Sequence, residues 1–263
     1  MSVSAGEPSC GIAVMAKASI PGRTKTRLVP PLDFNEAARF NTAFLKDVFA
    51  NVLEAARETV IAGHAAGGPP GADDFFAEIL PEAAHYFECW HGDFGRCLRE
   101  ATAEMFARGH TGAIVLNSDS PTLPPALLVE AARILARPGD RAVLGPSTDG
   151  GYYLLGLNRL HERMFQDIDW STERVAGQTM ARAREIGLEI QVLPQWYDVD
   201  DADSLRRLHG EVVEGRIFEG SAFRPAAADH SATLMREMAA IPEFRRRLGL
   251  DPAGTSARLR NAG

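Results

Sequence analysis

"GIAVMAKASIPGRTKTRL", residues 11–28, is the stretch on which the fold turns. Gly11 to Met15 is a short apolar run, the pattern of a buried strand. Directly after it come four cations, Lys17, Arg23, Lys25 and Arg27, around a turn at Pro21 and Gly22. In a mostly parallel sheet, ligands bind beyond the carboxyl ends of the strands. A basic loop at that position, in a chain of formal net charge -7, is therefore a local grip for a small phosphorylated ligand. The competing reading is a solvated loop paired to nearby acids.

Working outward, strand patterns recur in "ETVIAGH" (58–64), "YFECW" (86–90), "AIVLN" (113–117), "RAVLGPS" (141–147), "YYLLGLN" (152–158) and "LEIQVLP" (188–194). Helical spacing fills the gaps. It covers 33–56, where Asp33 is the cap with Glu36 three residues on, then 93–109 and 124–138. A further helix spans 171–187, with Ser171 as its cap and Gly187 as its stop, and a short one follows "YDVDD". "AAGGPPGADD" (65–74) reads as a plain loop. This alternation predicts a three-layer α/β/α domain with a mostly parallel sheet over residues 1–210. Residues 211–263 form an appended helical tail that could pack on the domain, mediate a homodimer or cover the site.

At 263 residues, 45% hydrophobic and 24% charged, the chain can bury a sizeable core. Its acidic balance argues against nucleic acid as a partner. Cys10, Cys89 and Cys97 lack metal-ligand spacing and read as reduced thiols. No signal peptide is legible in "MSVSAGEPSCG" and no run is long enough to span a membrane, so the expected location is the cytoplasm. No Walker P-loop, dinucleotide fingerprint or nucleophile elbow is present.

Three further polar clusters stand at strand ends. "NSDSP" (117–121) presents Asp119, which could bind Mg²⁺ or cap the next helix. "STDGG" (147–151) places Asp149 beside two glycines, suited to close backbone approach or to a tight hairpin. In "YDVDDADSL" (197–205), Asp198, Asp200 and Asp201 could supply a metal ligand or start the helix, Asp201 being the favoured cap. Trp90, Trp170 and Trp196 fit core or pocket wall.

"MAKASIPGRTKTRL", "GDFGRCLREA", "NSDSPTLP", "VLGPSTDGGYYLLGL", "DWSTERVAGQT" and "YDVDDADSL" together resemble the bacterial GT-A-fold transferases labelled arsenosugar-biosynthesis glycosyltransferases. More distantly the chain is similar to 2-phospholactate and molybdenum-cofactor guanylyltransferases. The resemblance covers about residues 11–209 and implies the nucleotide-diphospho-sugar transferase fold. It implies Asp119 and Asp200, with Asp198 as rival, as ligands of Mg²⁺ or Mn²⁺. It gives Lys17, Lys25 and Arg27 to the nucleotide phosphates and Asp149, Gly150 and Gly151 to the sugar or acceptor; Arg23 and Ser118 are further phosphate-binding candidates, and Tyr152 a further acceptor-binding one. Asp119 and Asp149 are the candidate catalytic residues. Asn117 departs from the family, which more often has glycine there, and the tail after residue 210 has no counterpart.

The preferred reading is glycosyl transfer from a nucleotide-diphospho-sugar to a small-molecule acceptor. The alternative is nucleotidyl transfer from a nucleoside triphosphate to a phosphorylated small molecule, for which a four-cation loop has an obvious use. A non-catalytic nucleotide-binding module is the third.

Overall fold

The computed structural model describes residues 9–217 and 223–251. The readings for residues 1–8, and for the parts of the tail at 218–222 and 252–263, lie outside the described residues. Among the described residues seven strands form one sheet: β1 (Cys10–Lys17), β2 (Ile61–Gly68), β3 (His85–Glu88), β4 (Gly112–Leu116), β5 (Arg141–Pro146), β6 (Tyr152–Leu157) and β7 (Glu189–Val192). The order across the sheet is β3-β2-β1-β4-β6-β5-β7. β6 runs antiparallel to both of its neighbours, and the other pairings are parallel. The exception has a simple cause. Only five residues separate β5 from β6, enough for a hairpin but too few for the crossover that a parallel neighbour needs.

Helices cover both faces. On one side lie α1 (Phe34–Ala55), α2 (Asp73–Ile79), α4 (Pro125–Leu135) and α6 (Ala202–Val212). On the other lie α3 (Phe94–Ala107) and α5 (Val175–Glu185). The periodicity of α1 puts Phe40, Phe44, Leu45, Val48 and Val52 in the core, each nearly fully buried. Its start is the expected capping box, in which Asp33 Oδ1 accepts from the Glu36 N–H and Glu36 Oε2 from the Asp33 N–H, both at 2.8 Å. Asp201 caps α6 in the same way through Ser204. No helix among the described residues is long and apolar enough to cross a membrane.

Two sequence expectations need correction. "AAGG" (65–68) is not loop: β2 runs through it, paired to β1 as far as Lys17 and Gly68, and α2 follows. The glycines that suggested a loop are there for close contact, since a Cβ on Gly67 would lie 2.1 Å from the Ala16 carbonyl oxygen. Ser171 is not a helix cap. Its φ is 64° and α5 begins only at Val175, because the intervening loop is drawn to the β5–β6 turn, where the Ala176 N–H donates to Gly150 O at 3.0 Å. Gly187, at φ 67°, stops α5 as expected.

After residue 210, α7 (Asp229–Ala239) and α8 (Pro242–Leu248) pack back toward α1. Buried Asp47 of α1 accepts from the His230 N–H (2.9 Å), the Ser231 N–H (2.8 Å) and the Ser231 hydroxyl, so α1 supplies the cap that α7 lacks in its own sequence. Arg247 of α8 holds Glu36 through both terminal guanidinium nitrogens.

Candidate active site

All four polar clusters meet over the carboxyl ends of β1 and β4, around a cavity of about 690 Å³. The chain leaves β1 at Lys17 and folds into a loop tied by Thr24, whose hydroxyl donates to Ala18 O at 2.8 Å. Lys17 and Arg23 stand exposed on this rim, the Lys17 ammonium 5.8 Å from the centre of the Trp90 ring. Lys25 adopts left-handed backbone (φ 52°) at the head of a short 3-10 turn, Thr26–Leu28, which Leu28 anchors in the core.

That backbone aims Lys25 inward. Its Nζ lies 2.8 Å from Asp119 Oδ1, 2.9 Å from Asp200 Oδ1 and 2.8 Å from Val199 O. Arg27 Nη1 approaches Asp200 Oδ2 at 3.3 Å. Burial opposes the Lys25 charge, but Asp119 and Asp200 outweigh it and hold its pKa above the ordinary lysine value. Burial likewise opposes the Asp200 carboxylate, yet Lys25 and Arg27 hold its pKa below the usual range. Asp119 caps no helix: α4 begins after Pro124, and the Asp119 carbonyl instead accepts from the Val199 N–H at 2.8 Å. Ser118 is buried behind it, its hydroxyl donating to Asp119 Oδ1 at 3.1 Å.

Asp198, the rival metal ligand, is placed differently. Its Oδ1 accepts from Asn117 Nδ2 and Ser120 Oγ, each at 2.7 Å. Burial pushes its pKa up to about 6 against those bonds, helped by the negative charges of Asp119 and Asp149. The departure at Asn117 thus has a structural role, as a donor to Asp198.

Across the cavity, the turn between β5 and β6 presents Asp149, which is exposed and accepts from the Gly151 N–H at 2.9 Å. Gly150 is not on the cavity wall. It has φ 89°, and a Cβ there would stand 2.2 Å from the Glu173 carbonyl oxygen, so it lets the 171–175 loop close over the turn. Gly151 and Tyr152 do line the cavity. The Tyr152 hydroxyl is buried with no hydrogen-bond partner, and burial raises its pKa. Sequence reasoning assigned no role here to Phe94 or Glu173. Phe94 and Trp170 meet edge-to-face at 5.7 Å and form an aromatic wall beside Asp149, Ser171, Thr172 and Glu173. Of the other tryptophans, Trp196 is core and Trp90 is 41% exposed.

The donor set fits a hard divalent cation. Two carboxylates and the Val199 carbonyl converge on one position, which the Lys25 ammonium occupies, and all the converging atoms are oxygen. Among the described residues no cluster of three or more His, Cys, Asp or Glu could cage a metal alone. Such a site suits Mg²⁺ or Mn²⁺ held by one or two carboxylates and completed by substrate phosphates.

Comparison with known proteins agrees with this architecture. The family model described as "Uncharacterized protein conserved in bacteria (DUF2064)" matches residues 51–172. A solved structure from Desulfovibrio desulfuricans G20, of a protein provisionally named a nucleotide-diphospho-sugar transferase, is 25% identical with a TM-score of 0.74, covering 92% of this chain and 99% of that one. A cytidylyltransferase from Leptospira borgpetersenii serovar Hardjo-bovis is 12% identical with a TM-score of 0.53, covering 90% and 97% of the two chains. A CMP:2-keto-3-deoxy-manno-octonic acid synthetase, solved with CTP, is 12% identical with a TM-score of 0.51, covering 79% and 100%. No curated protein matches the chain. The fold is the one expected: three-layer α/β/α with a mostly parallel sheet, the nucleotide-diphospho-sugar transferase fold.

Proposed function

We propose that this chain is a transferase that moves a glycosyl group from a nucleotide-diphospho-sugar to a small hydroxyl-bearing acceptor, with Mg²⁺ or Mn²⁺ at Asp119 and Asp200. The observation that carries the reading is the division of charge across one cavity. The exposed cations Lys17, Arg23 and Arg27 stand on one rim, beside the Lys25–Asp119–Asp200 cluster, whereas Asp149 and Glu173 stand on the other beside the Phe94–Trp170 wall. The first rim suits a diphosphate. The second suits a neutral ring with hydroxyl groups and would repel a phosphorylated acceptor. Sequence resemblance to glycosyltransferases, and likeness to the Desulfovibrio protein, point the same way.

In this reaction Asp149 takes the proton of the acceptor hydroxyl as its oxygen attacks the anomeric carbon. The bond from that carbon to the diphosphate oxygen breaks, and the electron pair leaves with the nucleoside diphosphate. Lys17, Arg23 and Arg27 neutralise the leaving group from the loop after β1. A bound divalent cation would supply Lewis-acid stabilisation of the same oxygens. Asp198, Ser118 and Asn117 hold the Asp119 segment in place.

Nucleotidyl transfer remains the second reading, and the four-cation loop is the observation that favours it. Product analysis separates the two. Incubation with Mg²⁺ and a panel of nucleotide-diphospho-sugars should release a nucleoside diphosphate slowly, through donor hydrolysis, while nucleoside triphosphates yield no pyrophosphate. Pyrophosphate release with no turnover of any diphospho-sugar would overturn the proposal.

A further inference from the structure

We infer that Lys25 is a built-in counter-ion that closes the carboxylate pair to free divalent cations, so that the ligand accepted is the preformed chelate of the cation with a nucleotide polyphosphate. This rests on the reading of Asp119 and Asp200 as cation ligands and specifies what may enter.

The geometry accounts for every proton of the ammonium. Nζ has three N–H donors, and three acceptors surround it: Asp119 Oδ1 at 2.8 Å, Asp200 Oδ1 at 2.9 Å and Val199 O at 2.8 Å. The Lys25 side chain is 7% exposed. In this state it has no donor left for a phosphate, although it belongs to the loop that should bind one. The position between the carboxylates, where a metal ion would sit, already holds a positive charge.

Charge decides what can displace it. Lys25 and Arg27 offset the two carboxylates that they contact, Asp119 and Asp200. A bare divalent cation would add two charges to a balanced, partly buried cluster and leave the lysine only the Val199 carbonyl as an acceptor. A cation that arrives with a polyphosphate carries its own compensation. Its phosphate oxygens also give the displaced ammonium new acceptors. The move is small. Thr24 and Leu28 anchor the loop backbone, so a swing of the four-carbon stem, which now holds the ammonium 5.4 Å from the centre of the Phe44 ring, exchanges carboxylate for phosphate.

The test measures Mn²⁺ binding by electron paramagnetic resonance on the full chain, without turnover. Wild type should bind free Mn²⁺ at least about tenfold more weakly than Lys25→Met, which removes the charge and keeps much of the stem. Lys25→Arg, which keeps a cation, should stay closed like wild type. Adding a mixture of ADP, CDP, GDP and UDP should restore Mn²⁺ binding to wild type. Asp119→Asn in the Lys25→Met background should abolish the gained site. If Lys25→Met fails to fold, wild type alone still decides: Mn²⁺ bound equally well with and without nucleotide overturns the inference. Equal free-Mn²⁺ affinity in wild type and Lys25→Met, with the nucleotide complex intact, overturns the inference but leaves the metal assignment standing. No Mn²⁺ binding to any form, with or without nucleotide, overturns both.

Discussion

Lys25 Nζ and Asp119 Oδ1 meet at 2.8 Å, joining the loop after β1 to the loop after β4 across the cavity floor. Two segments about ninety residues apart in the chain thus share one charge-assisted contact at the strand ends. Replacing Asp119 by Asn should cost turnover at least about 100-fold, the scale of losing one preorganised electrostatic group. Folding should be little affected, because Asp200 and Val199 still hold the lysine. Steady-state kinetics beside a melting curve checks both parts, and turnover within a few fold of wild type would remove Asp119 from the chemistry.

Phe94 is 49% exposed although it lies on the cavity wall, so solvent contact there serves something other than the core. Phe94→Ala should raise the KM for the acceptor about 2- to 10-fold, the worth of one aromatic contact, with kcat nearly unchanged. Its stability should stay within about 0.5 kcal/mol of wild type, as for other exposed positions. A fall in kcat with unchanged KM would place Phe94 elsewhere in the cycle.

His64 lies on β2 away from the cavity, between the rings of His85 (5.9 Å) and His110 (5.6 Å), and both its ring nitrogens lack partners. Burial, with the positive charges of Arg108, His110 and His85, lowers its pKa from 6.5 to about 4. The native state therefore binds fewer protons than the unfolded chain between those values. Its contribution is fully present above pH 6.5 and is lost as the pH falls toward 4, by at most about 3 kcal/mol. Urea denaturation across this range should show that decline in wild type and a shallower one in His64→Leu. Parallel profiles would mean that His64 does not set the acid limb.

Much of this was legible in the chain, for physical reasons that differ by region. β1, β4 and the β5–β6 hairpin are continuous apolar runs interrupted by turn residues, so local pattern alone marks them. The convergence of Lys25, Asp119, Asp149 and Asp200 followed from parallel topology, which sends strand ends to one edge. Contacts set by tertiary structure were not legible. Ser171 has the letters of a cap, but the 171–175 loop is held by Gly150 some twenty residues earlier. Gly67 and Gly68 have the letters of a loop, yet sit in β2 because β1 and Trp90 press on them. Nothing local announces that Phe94, a residue at a helix start, forms one wall with Trp170. Nor does spacing reveal that one lysine would occupy the gap between two carboxylates.

Asp47 is a second long-range contact that the sequence hides, since it sits mid-helix in α1 and serves the first turn of α7. Asp47→Ala should lower stability by about 2 kcal/mol, the upper end of a lost helix cap. Limited proteolysis should then cut within residues 229–248 sooner than in wild type. Unchanged stability and cleavage would mean that α7 and α8 are held by their apolar face alone.

The most direct test of the proposed chemistry is a thermal-shift comparison with Mg²⁺, setting nucleotide-diphospho-sugars against their bare diphosphates and against nucleoside triphosphates. A ligand at 100 times its dissociation constant adds about 2.7 kcal/mol, well within reach of a melting curve. At least one diphospho-sugar should stabilise the protein more than its own diphosphate does, because the Asp149 rim then holds the sugar, and Asp119→Asn should lose the Mg²⁺-dependent part. A triphosphate that outranks every diphospho-sugar would contradict glycosyl transfer and make the loop after β1 the grip of a nucleotidyltransferase.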